Sequence, residues 1–427
     1  MASARAASGA EMGARVIDQL LTEEFFQDHW ERVPLHLRAA DGGKDVNHLP
    51  ELLSVDDVAD IIGKAGPSLK MFKHNEPSRL RSFLLAYLDG TSMIVNQADR
   101  HNQVILEFCR SLADHFFHHV FAVLYLTPPG SQAVRLHNDD QDVFLFQVWG
   151  SKRWTVRNAP QLLPYTEEML GKDCPVPENL VGPPLLEFTM EAHDVLYIPR
   201  GYLHEAATGE EASLHITFTI PTSDYCWGVN LVKHLTGQLR SKQLPGPQRS
   251  LCQSSLAPRG AAGPAVLDDA ALDEKLQELL GSLASQLSAE DVVRSFEQRM
   301  ERTNDNQGRQ FSMMTGGERG RPTRPPRVTE DTRVRLMPGV SCHCEPDSEM
   351  AVFSRSGDGQ HLEMPILKSS SGLVCALTSK PQWVRDLPTK DPFQRLCVLQ
   401  LLLEHGVLQL FLKGPEDVPE DPDEPLR

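Results

Sequence analysis

The chain has 427 residues, with 42 Lys and Arg against 58 Asp and Glu, for a net charge of −16. That balance excludes a general nucleic-acid binder, which needs a cationic face. A composition of 40% hydrophobic and 23% charged residues excludes wholesale disorder. The length predicts two or three domains, and 31 Pro with 29 Gly predict linkers.

Eight cysteines without a Cys-x-x-Cys pair are too sparse for a disulfide scaffold and fit a reduced, intracellular compartment. Cys342-His343-Cys344 has no second pair at zinc spacing and reads as ordinary strand. No run of 18 apolar residues predicts a membrane span. The Ala/Ser/Arg-rich start lacks the apolar core of a secretory signal, so a secreted protein is not expected.

Residues 1–120 read as a helical N-terminal part. Thr22 is a plausible N-cap, Phe25, Phe26 and Trp30 recur at helical spacing, and Val55–Ile62 and Val104–Val120 are amphipathic. His118-His119 reads as a helix C-terminus. From residue 121 to 235 the period changes to that of strands. Phe121–Leu126, Asp142–Trp149, Lys152–Val156, Leu185–Thr189, Asp194–Ile198 and Leu214–Ile220 are separated by Gly/Pro turns, which predicts a barrel or jelly roll. Gly150-Ser151 reads as a two-residue hairpin turn.

Residues 236–267 read as a linker. Residues 268–302 are helical, with leucines from Leu272 to Leu287 at intervals of three and four and Ser288 capping a second helix; this is a candidate packing or dimerisation element. Residues 303–330 read as a basic linker. Residues 331–413 show short strands followed by a helix over Phe393–Phe411, and the acidic, proline-rich stretch 414–427 predicts a disordered tail.

The chemistry lies in two segments. His137-Asn138-Asp139 places an imidazole and a carboxylate on one face if the segment is extended. Asp194-Val-Leu-Tyr-Ile-Pro-Arg-Gly-Tyr-Leu-His204 is a strand, a Pro-x-Gly turn and a histidine beyond it. Two imidazoles and one carboxylate form the facial set of non-haem Fe(II) oxygenases, which leaves positions open for co-substrate and oxygen. Without thiolates, a structural zinc or an iron–sulfur cluster is disfavoured.

Five stretches in order carry a resemblance: Phe25-Phe-x-x-x-Trp-Glu-x-x-Pro-Leu35, Leu124-Tyr-Leu-Thr-Pro-Pro-Gly-Ser-Gln132, His137-x-Asp139-Asp140, Asp142-Val-Phe-x-x-Gln-x-x-Gly-x-Lys-x-Trp154, and Asp194-x-Leu-Tyr-x-Pro-Arg-Gly-x-x-His204. In these, half the chain resembles the JmjC-type, cupin-fold 2-oxoglutarate oxygenases, specifically the ribosomal oxygenases that hydroxylate histidine or arginine in ribosomal proteins. The resemblance implies an α+β fold with a double-stranded β-helix (jelly-roll) catalytic domain, N-terminal helices, a helical dimerisation region and a C-terminal winged-helix-like domain. It implies Fe(II) on His137, Asp139 and His204, and 2-oxoglutarate with its distal carboxylate on Lys152. Tyr125, Thr217 and Thr219 would line the co-substrate pocket. On residue type alone, Lys152 reads as a solvated surface lysine beside a hairpin turn.

The chain departs from the family pattern at Asn138, commonly aromatic, at Arg135-Leu136, often Pro or Ala, and at His193, usually Gly. The first two departures imply a more polar rim to the substrate groove. His193 is expected in a turn, and His215 in a packed or hydrogen-bonded role. The resemblance further implies a homodimer, a protein substrate and a nuclear or nucleolar setting.

The same iron site serves histone lysine demethylation, which remains an alternative. A third reading is a non-catalytic chromatin-binding module. Arg319-Gly320-Arg321-Pro322 with Arg324 resembles an AT-hook core, and reads equally as a solvated basic linker or a nuclear-localisation patch.

Overall fold

The computed structural model describes residues 8–115, 119–132, 134–172, 174–240, 269–285, 287–316, 328–356 and 361–411. His118, Arg319, Arg321, Arg324, residues 241–267 and the 414–427 stretch lie outside these. The chain divides into two compact units, Met1–Ile220 with Gln307–Arg427, and Pro221–Asn306.

In the first unit, eleven strands precede the C-terminal part: β1 (Leu35–Leu37), β2 (Leu69–Lys73), β3 (Glu76–Pro77), β4 (Ser92–Asn96), β5 (Phe121–Thr127), β6 (Asp142–Gly150), β7 (Lys152–Arg157), β8 (Pro184–Met190), β9 (Val195–Ile198), β10 (Leu203–Ala207) and β11 (Ser213–Ile220). They form an eight-stranded sheet in the order β1-β9-β6-β11-β5-β4-β2-β3 and a three-stranded sheet in the order β10-β7-β8. Every pairing is antiparallel, as a jelly roll requires.

Strand β6 shows why the sheet is covered on both faces. Val143 and Leu145 pack with Trp154, Val156, Met190, Leu196 and Ile198 between the two sheets. The alternate residues Phe144, Phe146 and Val148 join the larger core with Phe108, Leu112 and Ile61 of the N-terminal helices. A strand buried on both faces reads as a continuous apolar run, as Val-Phe-Leu-Phe does. On β11 the alternation differs in kind. Leu214, Ile216 and Phe218 enter the helical core, while the intervening His215, Thr217 and Thr219 are polar and buried.

The N-terminal part is not wholly helical. Strands β1, β2, β3 and β4 lie within it and complete the large sheet. Met93-Ile94-Val95 is an apolar, β-branched run too short to stand out between helical stretches. Gly150-Ser151 is not a hairpin turn either: β6 pairs with β9 and β11, whereas β7 pairs with β10 and β8, so the chain changes sheets there. Gly150 has φ 62°, and a Cβ at this position would stand 1.7 Å from the Ala212 carbonyl oxygen, so the corner requires glycine.

The aromatic motif near the N-terminus is fastened to the strand that leads into the second histidine. Thr22 caps Glu23–Asp28 by accepting the Phe25 N–H at 3.3 Å. Phe25 packs edge-on against Tyr197 at 5.0 Å, and Trp30 stacks on the same ring at 5.8 Å. The Tyr197 hydroxyl donates to Asp142 at 2.7 Å, and Arg200 lies between Glu31 (3.0 Å) and Asp142 (3.6 Å). Burial and these partners fix the Pro199-Arg200-Gly201 turn just before His204.

The C-terminal part holds two three-stranded sheets. In one, β12 (Arg333–Leu336) lies between β16 (Gln382–Trp383) and β17 (Leu408–Phe411); the other joins β13 (Val340–His343), β14 (Met350–Arg355) and β15 (His361–Pro365). The helix Pro392–Glu404 is apolar on nearly all sides and correspondingly buried. It stops seven residues short of the helix expected over Phe393–Phe411. Gly406 adopts φ 70°, and Leu408–Phe411 continues as a strand. Asp391 accepts the Phe393 and Gln394 N–H groups at 3.0 Å each and the Tyr87 hydroxyl at 2.7 Å, tying this helix to Phe83–Leu88.

Ser288 of the second unit accepts the Asp291 N–H at 3.0 Å and opens a helix, Ala289–Gly316, that runs past the end of that unit at Asn306 through residues expected to begin the basic linker. Among the described residues no helix is long and apolar enough to cross a membrane.

Candidate metal and co-substrate site

His137 and His204 are brought together by backbone pairing. The His204 N–H donates to the His137 carbonyl at 2.8 Å, and the His137 N–H donates to the His204 carbonyl at 3.2 Å. The Gly201 N–H donates to the Asp139 carbonyl at 2.9 Å, so the Pro-x-Gly turn is fixed to the residue it must face. Gly201 has φ 95°, and a Cβ there would lie 2.4 Å from the Gln161 carbonyl oxygen.

The side chains converge. Asp139 Oδ2 lies 3.5 Å from His204 Nε2 and 3.9 Å from His137 Nε2. One ligand atom from each of the three residues falls within 4.8 Å of the others. The Nδ1 atoms of His137 and His204 face the backbone carbonyls of Arg135 (2.8 Å) and Tyr202 (3.0 Å). A carbonyl only accepts, so each Nδ1 carries the proton and each Nε2 presents a lone pair inward.

Electrostatics favour the same state. Burial, and the neighbouring His204 and Lys172, hold His137 well below the usual imidazole range; burial also lowers His204. Both rings therefore stay neutral, as ligands must be. Burial alone would raise the Asp139 carboxyl. The Lys172 ammonium, by its charge and its hydrogen bond, overcomes that and holds it below the usual range. The set offers two neutral nitrogens and one anionic oxygen on one side of a point, which suits a divalent metal with open positions.

Beside this set lies a pocket of about 450 Å³ lined by Tyr125, Val134, Val143, Leu145, Lys152, Trp154, Glu205, Ala206, His215 and Thr217 together with the three ligand residues. Lys152 is not a surface lysine: it is 3% exposed, and its ammonium donates to Thr127 Oγ1 at 3.1 Å. Burial pushes it down to about 7. The Nδ1 of His215 and the Oγ1 of Thr217 are also buried in this wall, with no hydrogen-bond partner among the described residues. His215 stacks flat on Tyr125 at 4.8 Å, with Trp154 edge-on at 5.6 Å. A buried ammonium and two unsatisfied polar atoms amid apolar walls are costly unless a ligand completes them, and an anion is chemically suited to do so.

Of the seven residues nominated from sequence, six meet here: His137, Asp139, His204, Lys152, Tyr125 and Thr217. Thr219 is buried further along β11, outside the pocket wall. His215, expected in a packed or hydrogen-bonded role, packs on Tyr125 and also lines the pocket. Trp154 was visible only as part of a motif. Lys172 was missed: its ammonium lies 2.6 Å from Asp139 Oδ1, and nothing in its local sequence marks it. Asn138 is fully buried and does not form the rim. It bonds to Leu170 and Gly201, because its side chain points between two loops rather than into a groove. His193 lies in a turn at φ 75°, its ring 3.0 Å from the Asn47 carbonyl.

The JmjC domain family matches residues 94–226, a span containing every side chain of this site. Over 93% of its length the chain is 26% identical to 72% of Ribosomal oxygenase 1 of Gallus gallus. The chain therefore carries a JmjC domain. It is also 31% identical, over half its length, to 35% of the bifunctional lysine-specific demethylase and histidyl-hydroxylase NO66 of Drosophila melanogaster. It is 34% identical, over 39% of its length, to 29% of the NO66 of Dictyostelium discoideum. It therefore spans most of the first relative and about a third of the others. The solved structure of YcfD, a ribosomal oxygenase from Escherichia coli in complex with cobalt and 2-oxoglutarate, is similar at 17% identity and a TM-score of 0.44, over 91% of this chain and 97% of that one.

The Lys152 ammonium carries a pH signature. Its folded value, about 7, lies below its ordinary 10.5. Between these limits the unfolded chain binds more protons, so stability rises with pH. We expect the melting temperature of the ligand-free protein to climb from pH 7 toward pH 10 and this slope to flatten in Lys152→Met, which should also be the more stable of the two at pH 7. Parallel slopes for both proteins would contradict the assignment.

Proposed function

We propose that this chain is a protein hydroxylase dependent on Fe(II) and 2-oxoglutarate, acting on a histidine or arginine of a ribosomal protein. The observation that carries the reading is the buried Lys152 ammonium opening onto the same pocket as the His137, Asp139 and His204 donor atoms. A dicarboxylate such as 2-oxoglutarate suits both ends of that pocket, one carboxylate at the ammonium and the 2-oxo acid toward the donor set. Similarity to Ribosomal oxygenase 1 supports the substrate class.

When bound, the metal supplies oxygen activation coupled to oxidative decarboxylation of 2-oxoglutarate to succinate and CO₂. The chain does the rest by placement. His137 and His204 present fixed lone pairs, and Asp139 supplies the compensating charge. Lys152 anchors the distal carboxylate through a charge-assisted hydrogen bond, which Thr217 and His215 supplement. Val143, Leu145 and Trp154 keep the pocket walls apolar, which strengthens that pairing.

Lysine demethylation is a second reading, favoured by the double activity in the names of the NO66 relatives. Assaying hydroxylation of ribosomal-protein peptides against demethylation of methyl-lysine histone peptides separates the two. The complete donor set speaks against a non-catalytic module. We assign the C-terminal part to the winged-helix-like domain of the family, and a nuclear or nucleolar setting follows from the same kinship.

For turnover, we expect His137→Ala, Asp139→Ala and His204→Ala each to abolish metal-dependent conversion of 2-oxoglutarate to succinate; full activity in any of them would overturn the reading. Removing one partner of a desolvated ion pair costs about 3–5 kcal/mol. Lys152→Ala should therefore weaken 2-oxoglutarate binding by about a hundredfold or more, with metal uptake retained and Lys152→Arg milder.

We also propose a homodimer through the second unit. Its helices expose Trp227 (67%), Val232 (62%), Leu276 (50%) and Leu280 (48%), more apolar surface than scattered exposure explains. Sedimentation velocity should show a dimer that Leu276→Asp with Leu280→Asp converts to monomer. A monomeric parent chain, or a dimer indifferent to these changes, would contradict it.

A further inference from the structure

The two oxygens of Asp139 have different surroundings. Oδ2 faces both Nε2 atoms, at 3.5 and 3.9 Å, whereas Oδ1 accepts the Lys172 ammonium at 2.6 Å. Lys172 lies 33 residues along the chain and is partly exposed, so its position depends on how its loop is fastened.

That fastening is specific. Asn138 exchanges two hydrogen bonds with Leu170: its N–H donates to the Leu170 carbonyl at 3.1 Å, and its Oδ1 accepts the Leu170 N–H at 2.6 Å. Its Nδ2 reaches the Gly201 carbonyl at 3.3 Å, joining the loop to the turn before His204. Thr166 Oγ1 donates to Asp140 at 2.6 Å and pins the start of the same loop. Gly171 follows in the left-handed region at φ 82°. A Cβ there would stand 2.2 Å from the Leu136 carbonyl oxygen and 2.6 Å from His137 Cα. Only glycine allows the loop to lie so close to the His137–Asp139 segment, and this close approach delivers the next side chain to Asp139. An aromatic residue at 138 would keep the backbone bond to Leu170 but lose both side-chain amide bonds, to the Leu170 N–H and the Gly201 carbonyl, so the identity of residue 138 bears on the position of Lys172.

We propose that Lys172, placed by Asn138 and Gly171, is a positioning residue that occupies Asp139 Oδ1 and so restricts the carboxylate to a single oxygen toward the metal. The inference rests on the metal-site reading above. A two-histidine, one-carboxylate set works by leaving positions open. A carboxylate free to engage through both oxygens would take one of the positions that a chelating 2-oxo acid needs. An exposed ion pair contributes little to stability, so the consequence of this one lies in coordination.

Co²⁺ titration of the full chain, followed by visible absorption and then by 2-oxoglutarate calorimetry, tests this without turnover. Lys172→Met should take up Co²⁺ at least as tightly as the parent, since a nearby cation is gone. Its Co²⁺ spectrum should differ from the parent's, and 2-oxoglutarate should bind about tenfold more weakly. Lys172→Arg should restore both readouts, and Asn138→Ala, which loosens the loop, should move them in the same direction as Lys172→Met. A Lys172→Met protein with the parent's spectrum and 2-oxoglutarate affinity would overturn the inference while leaving the metal site intact. A parent chain that takes up no Co²⁺ would overturn both.

Discussion

Everything at the site depends on the backbone pair between His137 and His204. Two hydrogen bonds between residues 67 positions apart place both imidazoles on one side of a shared point, and the backbone carbonyls of Arg135 and Tyr202 then fix which ring nitrogens face it. Two imidazoles in flexible loops would lose affinity to the entropy of ordering them. Here that ordering is complete once the jelly roll has folded. The Phe25, Trp30 and Tyr197 stack and the Arg200 ion pairs serve the same end, since they hold the turn from which His204 emerges.

The second constraint is the buried Lys152. Burial disfavours its charge, and the apolar wall formed with Trp154 and Leu145 leaves Thr127 as its hydrogen-bond partner. Such an ammonium weakens the free protein and strengthens the complex with an anion. Its placement beside a neutral-imidazole and carboxylate donor set selects ligands that carry a carboxylate at one end and a chelating group at the other. In this account the site's affinity for its co-substrate and the pH dependence of its stability have one cause.

Much of this was legible in the sequence. His137, Asp139 and His204 stood out because strand periodicity and a Pro-x-Gly turn constrain where side chains point. The alternation Leu-His-Ile-Thr-Phe-Thr-Ile on β11 separated the core face from the polar pocket face. Legibility failed where tertiary contacts decide the outcome. Gly150-Ser151 has hairpin chemistry, yet the Ala212 carbonyl forces a corner between sheets. Phe393–Phe411 is mostly apolar, so the end of the helix at Glu404 followed from Gly406 and from pairing with β12 rather than from pattern. Strands β1 to β4 are short and defined by the sheet that receives them. Lys172 and the buried role of Asn138 depend on a loop folding over the His137–Asp139 segment, which no local spacing encodes.

The central claim is that the three ligand residues and Lys152 form one receptor with two ends. Crystals of the full chain grown with Mn²⁺ and 2-oxoglutarate under anaerobic conditions test it most directly, through the anomalous signal of the metal. The account predicts a single peak at the point shared by His137 Nε2, Asp139 Oδ2 and His204 Nε2, with the distal carboxylate of 2-oxoglutarate on Lys152 Nζ. A peak elsewhere, or a co-substrate whose distal carboxylate lies away from Lys152, would contradict it.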